Sequence, residues 1–247
     1  MKSLFCAIGA ALVVLCAAVG TASASVVIGG TRVVFPAANG EVTVRLNNTG
    51  DKPALVEAWI DDGNADSTPD TAHVPFLTTP PLARMNAGKG QSLRIVYTGQ
   101  ALPNDRESLF WLNVLEIPPK PGTANGEAQN TLQFAVRSRL KLFFQPANLT
   151  GNQLTAASQI TWSLARDGHG YALVAHNPTP YHVTFSKVSL EAGKAALATE
   201  AGMVAPLSTL RLPLAEAAPA PAPGAAVAFT TINDFGAAAA NQGTITP

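Results

Sequence analysis

Residues 130–146 read Asn130-Thr131-Leu132-Gln133-Phe134-Ala135-Val136-Arg137-Ser138-Arg139-Leu140-Lys141-Leu142-Phe143-Phe144-Gln145-Pro146. Leu132, Phe134 and Val136 alternate with Gln133, Ala135 and Arg137, so an extended chain places the three apolar side chains on one face. Apolar, β-favouring sequence continues through Leu140, Leu142, Phe143 and Phe144 to Pro146, which has no N–H to give to a ladder. Strands usually run about five or six residues. A pattern this long predicts a strand that outgrows its own sheet, and an overhanging strand is a template for pairing with another chain. Lys141 has odd parity and the apolar row even parity. In an unbroken strand the lysine faces the other way, unless a bulge near Ser138 re-aims it.

Working outward, short alternating or apolar runs recur between turn residues: Val42 to Leu46, Leu55 to Ile60, Leu93 to Tyr97 and Leu109 to Ile117. The loops between them include Asn47-Asn48-Thr49-Gly50 and Asn86-Ala87-Gly88. This is the pattern of a β-sandwich. After Pro146 it restarts with Ile160 to Leu164, Tyr171 to Ala175, Val183 to Leu190, Thr209 to Leu214 and Val227 to Ile232, which predicts a second, smaller β-domain. Lys120 to Gln129 and the Ala/Pro-rich Ala215 to Gly224 read as loops.

The first residues carry Lys2, an apolar run from Leu4 to Val19 and then Ala22-Ser23-Ala24, the three-part pattern of an export signal cleaved before Ser25. The apolar run is shorter than the roughly 20 residues that a spanning helix needs. The expected division is therefore 1–24 signal peptide, 25–145 first domain and 146–247 second domain. Both cysteines, Cys6 and Cys16, fall in the signal segment, so packing alone must hold the exported chain. The 16 basic residues balance the 16 acidic ones, and removal of Lys2 leaves a charge of minus one. That balance gives no reason to expect a nucleic-acid partner.

Enzyme signatures are missing from the sequence. There is no Gly-x-Ser-x-Gly elbow, and Gly88-Lys89-Gly90 lacks the rest of a phosphate loop. Asp62-Gly63-Asn64-Ala65-Asp66 begins like a calcium loop but has Ser67 and His73 where glycine and a closing glutamate belong. His73, His169, His176 and His182 are not spaced as zinc ligands. Glu107 has no second acid or base at a spacing that compels pairing. The expectation is no catalysis, no cofactor, no metal and no small-molecule substrate. A secreted two-domain β-sandwich enzyme, carbohydrate-active or peptidase, is the alternative.

Several blocks occur together: Thr31-Arg32-Val33-Val34-Phe35, Ala58-Trp59-Ile60, Thr79-Pro80-Pro81, Asp105-Arg106-Glu107-Ser108-Leu109-Phe110-Trp111, Leu140-Lys141-Leu142-Phe143-Phe144, Asn177-Pro178-Thr179-Pro180-Tyr181 and Ile232-Asn233-Asp234-Phe235-Gly236. In content and order they resemble the periplasmic pilus chaperone family, the PapD-like proteins of the chaperone-usher pathway. The resemblance implies an all-β chain of two immunoglobulin-like sandwiches in a boomerang arrangement. It also implies a periplasmic protein that binds incomplete pilus or fimbrial subunits and passes them to an outer-membrane usher. Exposed strand edges of this kind also allow self-association.

By residue type alone, Arg32 and Lys141 read as edge charges that discourage aggregation. The resemblance gives them another role, because they match the arginine and lysine that hold the subunit's terminal carboxylate in the interdomain cleft. The same resemblance makes Leu132, Phe134 and Val136 the row that fills the subunit's missing-strand groove. Glu107 and Asp234 match two acids of an interdomain ion-pair network, although Asp234 also reads as a turn residue before Phe235-Gly236. The family's arginine in that network is replaced by Gln145.

Overall fold

The computed structural model describes residues 25–120, 132–168, 170–192, 195–199, 201–214 and 224–246. The expected signal segment, nearly all of the Lys120–Gln129 and Ala215–Gly224 loops, and His169 lie outside them.

Among the described residues, the first half of the chain supplies nine strands: β1 (Val26–Ile28), β2 (Arg32–Pro36), β3 (Glu41–Asn48), β4 (Ala54–Asp61), β5 (Phe76–Thr79), β6 (Leu82–Met85), β7 (Gly90–Tyr97), β8 (Ser108–Ile117) and β9 (Val136–Gln145). They form two sheets, β1-β3-β7-β5 and β2-β9-β8-β4-β6. Period-two patterning decides which faces meet. Val44 and Leu46 from β3, Leu93 and Ile95 from β7, Phe110, Leu112 and Val114 from β8, and Leu142 and Phe144 from β9 turn inward to one core. Phe35 lies at its centre, with its ring centroid 5.4 Å from Phe76 and 5.7 Å from Phe144.

The second half supplies β10 (Thr161–Asp167), β11 (Gly170–Asn177), β12 (Val183–Ala192), β13 (Ala195–Thr199), β14 (Gly202–Val204), β15 (Ser208–Pro213), β16 (Ala226–Ile232) and β17 (Ala238–Thr244). One sheet is β10-β11-β15; the other is β13-β12-β16-β17, with β14 also paired to β12. Trp162, Phe185 and Phe229 pack together in a core of their own, with centroids 5.1–5.7 Å apart. Each half thus buries its own apolar set, which is the physical content of two domains. The all-β, two-sandwich expectation holds.

The decisive strand differs from its sequence pattern in one respect. β9 begins at Val136, and Leu132 to Ala135 carry no ladder, although the pattern reads as strand from Leu132 onward. The neighbouring strand explains the difference. β8 ends at Ile117, and Pro118 and Pro119 follow, so the segment beyond Val136 runs out of a partner that can donate hydrogen bonds.

Candidate functional site

The β8–β9 ladder runs without interruption from Ser108↔Phe144 to Glu116↔Val136, which removes the alternative of a bulge near Ser138. Parity therefore carries straight through β9. Leu142 and Phe144 point into the core on the even face, and the same face extended outward carries Val136, Phe134 and Leu132. There it has no core to meet. Val136 is 38% exposed, Phe134 66% and Leu132 79%. Three large apolar side chains thus lie in a row, in water, at the end of a strand whose other end is buried.

The odd face is different. Arg137, Arg139 and Lys141 lie over the aromatic rings of Trp59 and Trp111, at 4.7, 4.4 and 5.9 Å from the centroids. Buried Asp61 accepts from Asn113 and pairs with Arg139, so this face has its own polar scaffold. No motif in the sequence marks Asp61, Asn113 or Trp111 for this scaffold. Their alternation within otherwise apolar strands was the available signal.

β2 lies parallel to β9, with Arg32 directly opposite Lys141. Two cations are thereby set side by side, and among the described residues neither forms an ion pair. Burial is the main force lowering the Lys141 ammonium below its ordinary value, and the Arg32 charge lowers it further. Burial also lowers the Arg32 guanidinium, against a smaller opposing pull from Asp234. Arg32 Nη1 donates to the carbonyl of Ile232 (3.0 Å); among the described residues its buried Nε has no partner and Lys141 Nζ reaches only the Thr184 hydroxyl, at 3.5 Å. Ile232 and Thr184 both belong to the second domain, so the cation pair faces the junction between the domains. A site with two cations and an unused buried donor is chemically suited to one carboxylate.

Beside it, Gln145 Nε2 donates to Glu107 (2.8 Å) and to Asp234 (3.2 Å), so the three residues that the family resemblance connected do meet. Burial raises the Asp234 carboxyl above its usual value, and the Glu107 charge adds to that; Gln145 and Arg32 only partly counter it. A fourth member is His182. Its backbone N–H and its Nδ1 both contact the Glu107 carboxylate, at 2.7 and 3.0 Å, and its ring packs on Phe143. Histidine spacing gave no hint of this, because the contact joins residues 75 positions apart. A backbone bond from Glu107 N–H to the Pro180 carbonyl (2.9 Å) lies alongside.

Known proteins share this arrangement of sequence and fold. Residues 25–150 match the family described as "Pili and flagellar-assembly chaperone, PapD N-terminal domain", and residues 155–243 match "Pili assembly chaperone PapD, C-terminal domain". The chain belongs to the PapD family of pilus-assembly chaperones. It is 45% identical over 243 residues to the chaperone protein FimB/FhaD of Bordetella pertussis, covering 97% of this chain and 95% of that one. It is 43% identical to the chaperone protein MrkB of Klebsiella pneumoniae, over 90% of this chain and 91% of its relative. Among solved structures, the YadV chaperone superposes with a TM-score of 0.76 at 38% identity, covering 90% of this chain and all of that one. The SafB chaperone of Salmonella enterica, solved in complex with the SafA pilin, superposes with a TM-score of 0.73 at 27% identity, over 92% and 99% of the two chains. The relatives are chaperones, and the enzyme alternative finds no support among them.

Proposed function

We propose that this PapD-family chaperone works in the periplasm, reached through cleavage of residues 1–24, and that it holds incomplete pilus subunits by lending them a strand. In this reading residues 25–145 bind the subunit and residues 146–247 form the second wall of the cleft. The observation that carries it is the exposed row Leu132, Phe134, Val136, which leads directly into a strand whose inner part lies beside Arg32 and carries Lys141. A subunit that lacks one strand of its own sandwich offers a groove for such a row and backbone groups to pair with it. Burying three such side chains is worth about 5 to 9 kcal/mol before ordering costs. The subunit's terminal carboxylate would sit between Arg32 and Lys141 and fix the register of the lent strand. The SafB relative is captured with a pilin, which supports a subunit as the partner. Delivery to an outer-membrane usher completes the pathway. No cofactor enters, because completion of the subunit's fold supplies the free energy.

Co-expression with a pilus subunit, followed by affinity purification from periplasmic extract, tests the reading. Wild-type protein is expected to bring the subunit down in a stable one-to-one complex. Arg32→Ala and Lys141→Ala should stay folded and recover at most about a tenth as much, the loss of one charge-assisted bond. Wild-type recovery with both variants would rule out the carboxylate anchor.

A further inference from the structure

Ser25 occupies a seat of its own. Its backbone nitrogen lies 3.1 Å from Glu116 Oε1, its hydroxyl bonds the same oxygen, and the Val26 N–H donates to Glu116 Oε2 at 2.9 Å. The Ser25 carbonyl accepts from the Thr49 N–H (2.8 Å) and the Thr49 hydroxyl (3.1 Å). Gly50 closes the seat: a Cβ on it would stand 2.6 Å from the Ser25 Cβ, so no side chain fits there. Glu116 is buried and belongs to no ion pair among the described residues. A buried carboxylate without a cation is costly.

We propose that export processing supplies the missing cation. The nitrogen facing Glu116 is the atom that cleavage after Ala22-Ser23-Ala24 sets free. Water adds across the Ala24–Ser25 amide; the carboxylate leaves with the leader, and the released amine takes up a proton. The resulting ammonium is already within ion-pair distance of Glu116 Oε1. Cleavage thus turns an amide–carboxylate hydrogen bond into a part-buried ion pair and pins β1 to the end of β8. That end matters, because Glu116 is the register partner of Val136, the one member of the row that the ladder still pairs, and lines the same groove as Leu132 and Phe134. The processed N-terminus therefore braces the point where the lent segment leaves the sheet. The inference rests on the export reading above.

The pH signature follows from the ammonium. An unpaired α-amino group titrates near roughly 7.7–8.0. Pairing raises that value in the folded state, so the added stability is complete below the unfolded value and is lost as pH climbs through the folded one. Asp51 and Lys52, from the loop before β4, are the other charged groups lining the groove.

The test uses the full chain with its own leader, expressed in a Gram-negative host. Intact mass should give Ser25 as the first residue. Melting curves from pH 6 to 10 should then show Glu116→Gln about 5 °C below wild type at neutral pH, a gap that closes toward pH 10. A chain with one glycine inserted between Ala24 and Ser25 keeps Glu116 but displaces the ammonium, and should lose the pH-dependent part of the gap. If Glu116→Gln folds poorly, this inserted chain still decides the matter. A different first residue, or a wild-type-like pH profile in the inserted chain, overturns the proposal. Subunit capture is scored separately. A protein that melts as expected but captures nothing refutes the chaperone reading alone, and one that captures subunits with no pH-dependent gap refutes only this inference.

Discussion

At the scale of single residues, Lys141 is held at a cost to the free protein. Its ammonium is half-buried, beside a second cation, with one hydroxyl at the limit of hydrogen-bonding distance. Such a residue weakens the fold unless a ligand compensates it. Lys141→Met is therefore expected to raise the melting temperature of the free protein by roughly 1–3 °C while abolishing subunit capture. The sign with pH follows from the lowered ammonium value. The charged form is disfavoured in the folded state, so the wild-type penalty is complete at low pH and fades as pH rises from the folded value to the unfolded one. The gap between Lys141→Met and wild type should narrow in alkali, as scanning calorimetry at pH 7 and pH 10 would show. Equal melting temperatures at both would mean that the lysine is not strained in the free protein.

At the scale of the element, β9 and the segment that leads into it carry one apolar alternation through two environments. Leu142 and Phe134 have the same parity, yet Leu142 is buried among Phe35, Phe110 and their neighbours, and Phe134 stands in solvent. Substitutions on that face should accordingly diverge. Leu142→Ala is expected to destabilise by about 2–5 kcal/mol, from lost transfer energy and the cavity left behind. Phe134→Asp should leave the melting temperature within a few degrees of wild type, because an exposed position costs at most about 0.5 kcal/mol. Its effect should fall on the partner: the subunit is no longer captured and is degraded. A Phe134→Asp protein that itself fails to accumulate would show that this row belongs to the protein's own core.

At the scale of the whole molecule, the two sandwiches meet through a network whose two acids, among the described residues, form no ion pair with an arginine. Gln145 bridges Glu107 and Asp234, and His182 adds its backbone N–H and ring to Glu107. Burial, and then the Glu107 charge, hold the Asp234 carboxyl above the range of an ordinary aspartate, and the Gln145 hydrogen bond, which carries no charge, only partly counters them. A raised carboxyl value means that folding favours the protonated form. The strain is complete above the folded value and is relieved as pH falls through it. Gln145→Arg should therefore raise the melting temperature at pH 7.5, by about 3 °C, with the gain shrinking in acid as pH falls through the folded Asp234 value. A melting temperature unchanged or lowered at pH 7.5 would show that burying a further charge outweighs the pairing.

The sequence by itself determined a good deal of this. Period-two apolar runs mark both sandwiches because burial of alternate side chains is a local property of each strand. The overhanging row could be read for the same reason, since parity needs no knowledge of neighbours. The blocks around Arg32, Glu107, Lys141 and Asp234 named the residues of the junction through their resemblance to a family. What only the tertiary structure decided involves residues far apart in the chain. The row starts outside a strand because Pro118 and Pro119 leave it without a ladder partner. Arg32 and Lys141 are neighbours only because β2 joins β9 in parallel. The contacts of His182 with Glu107 and of Ser25 with Glu116 close loops of 75 and 91 residues, and no local pattern records such pairings. Hydrophobic periodicity repeats within a strand, but a buried charge takes whatever partner the packing brings, and that is settled when the sheets close.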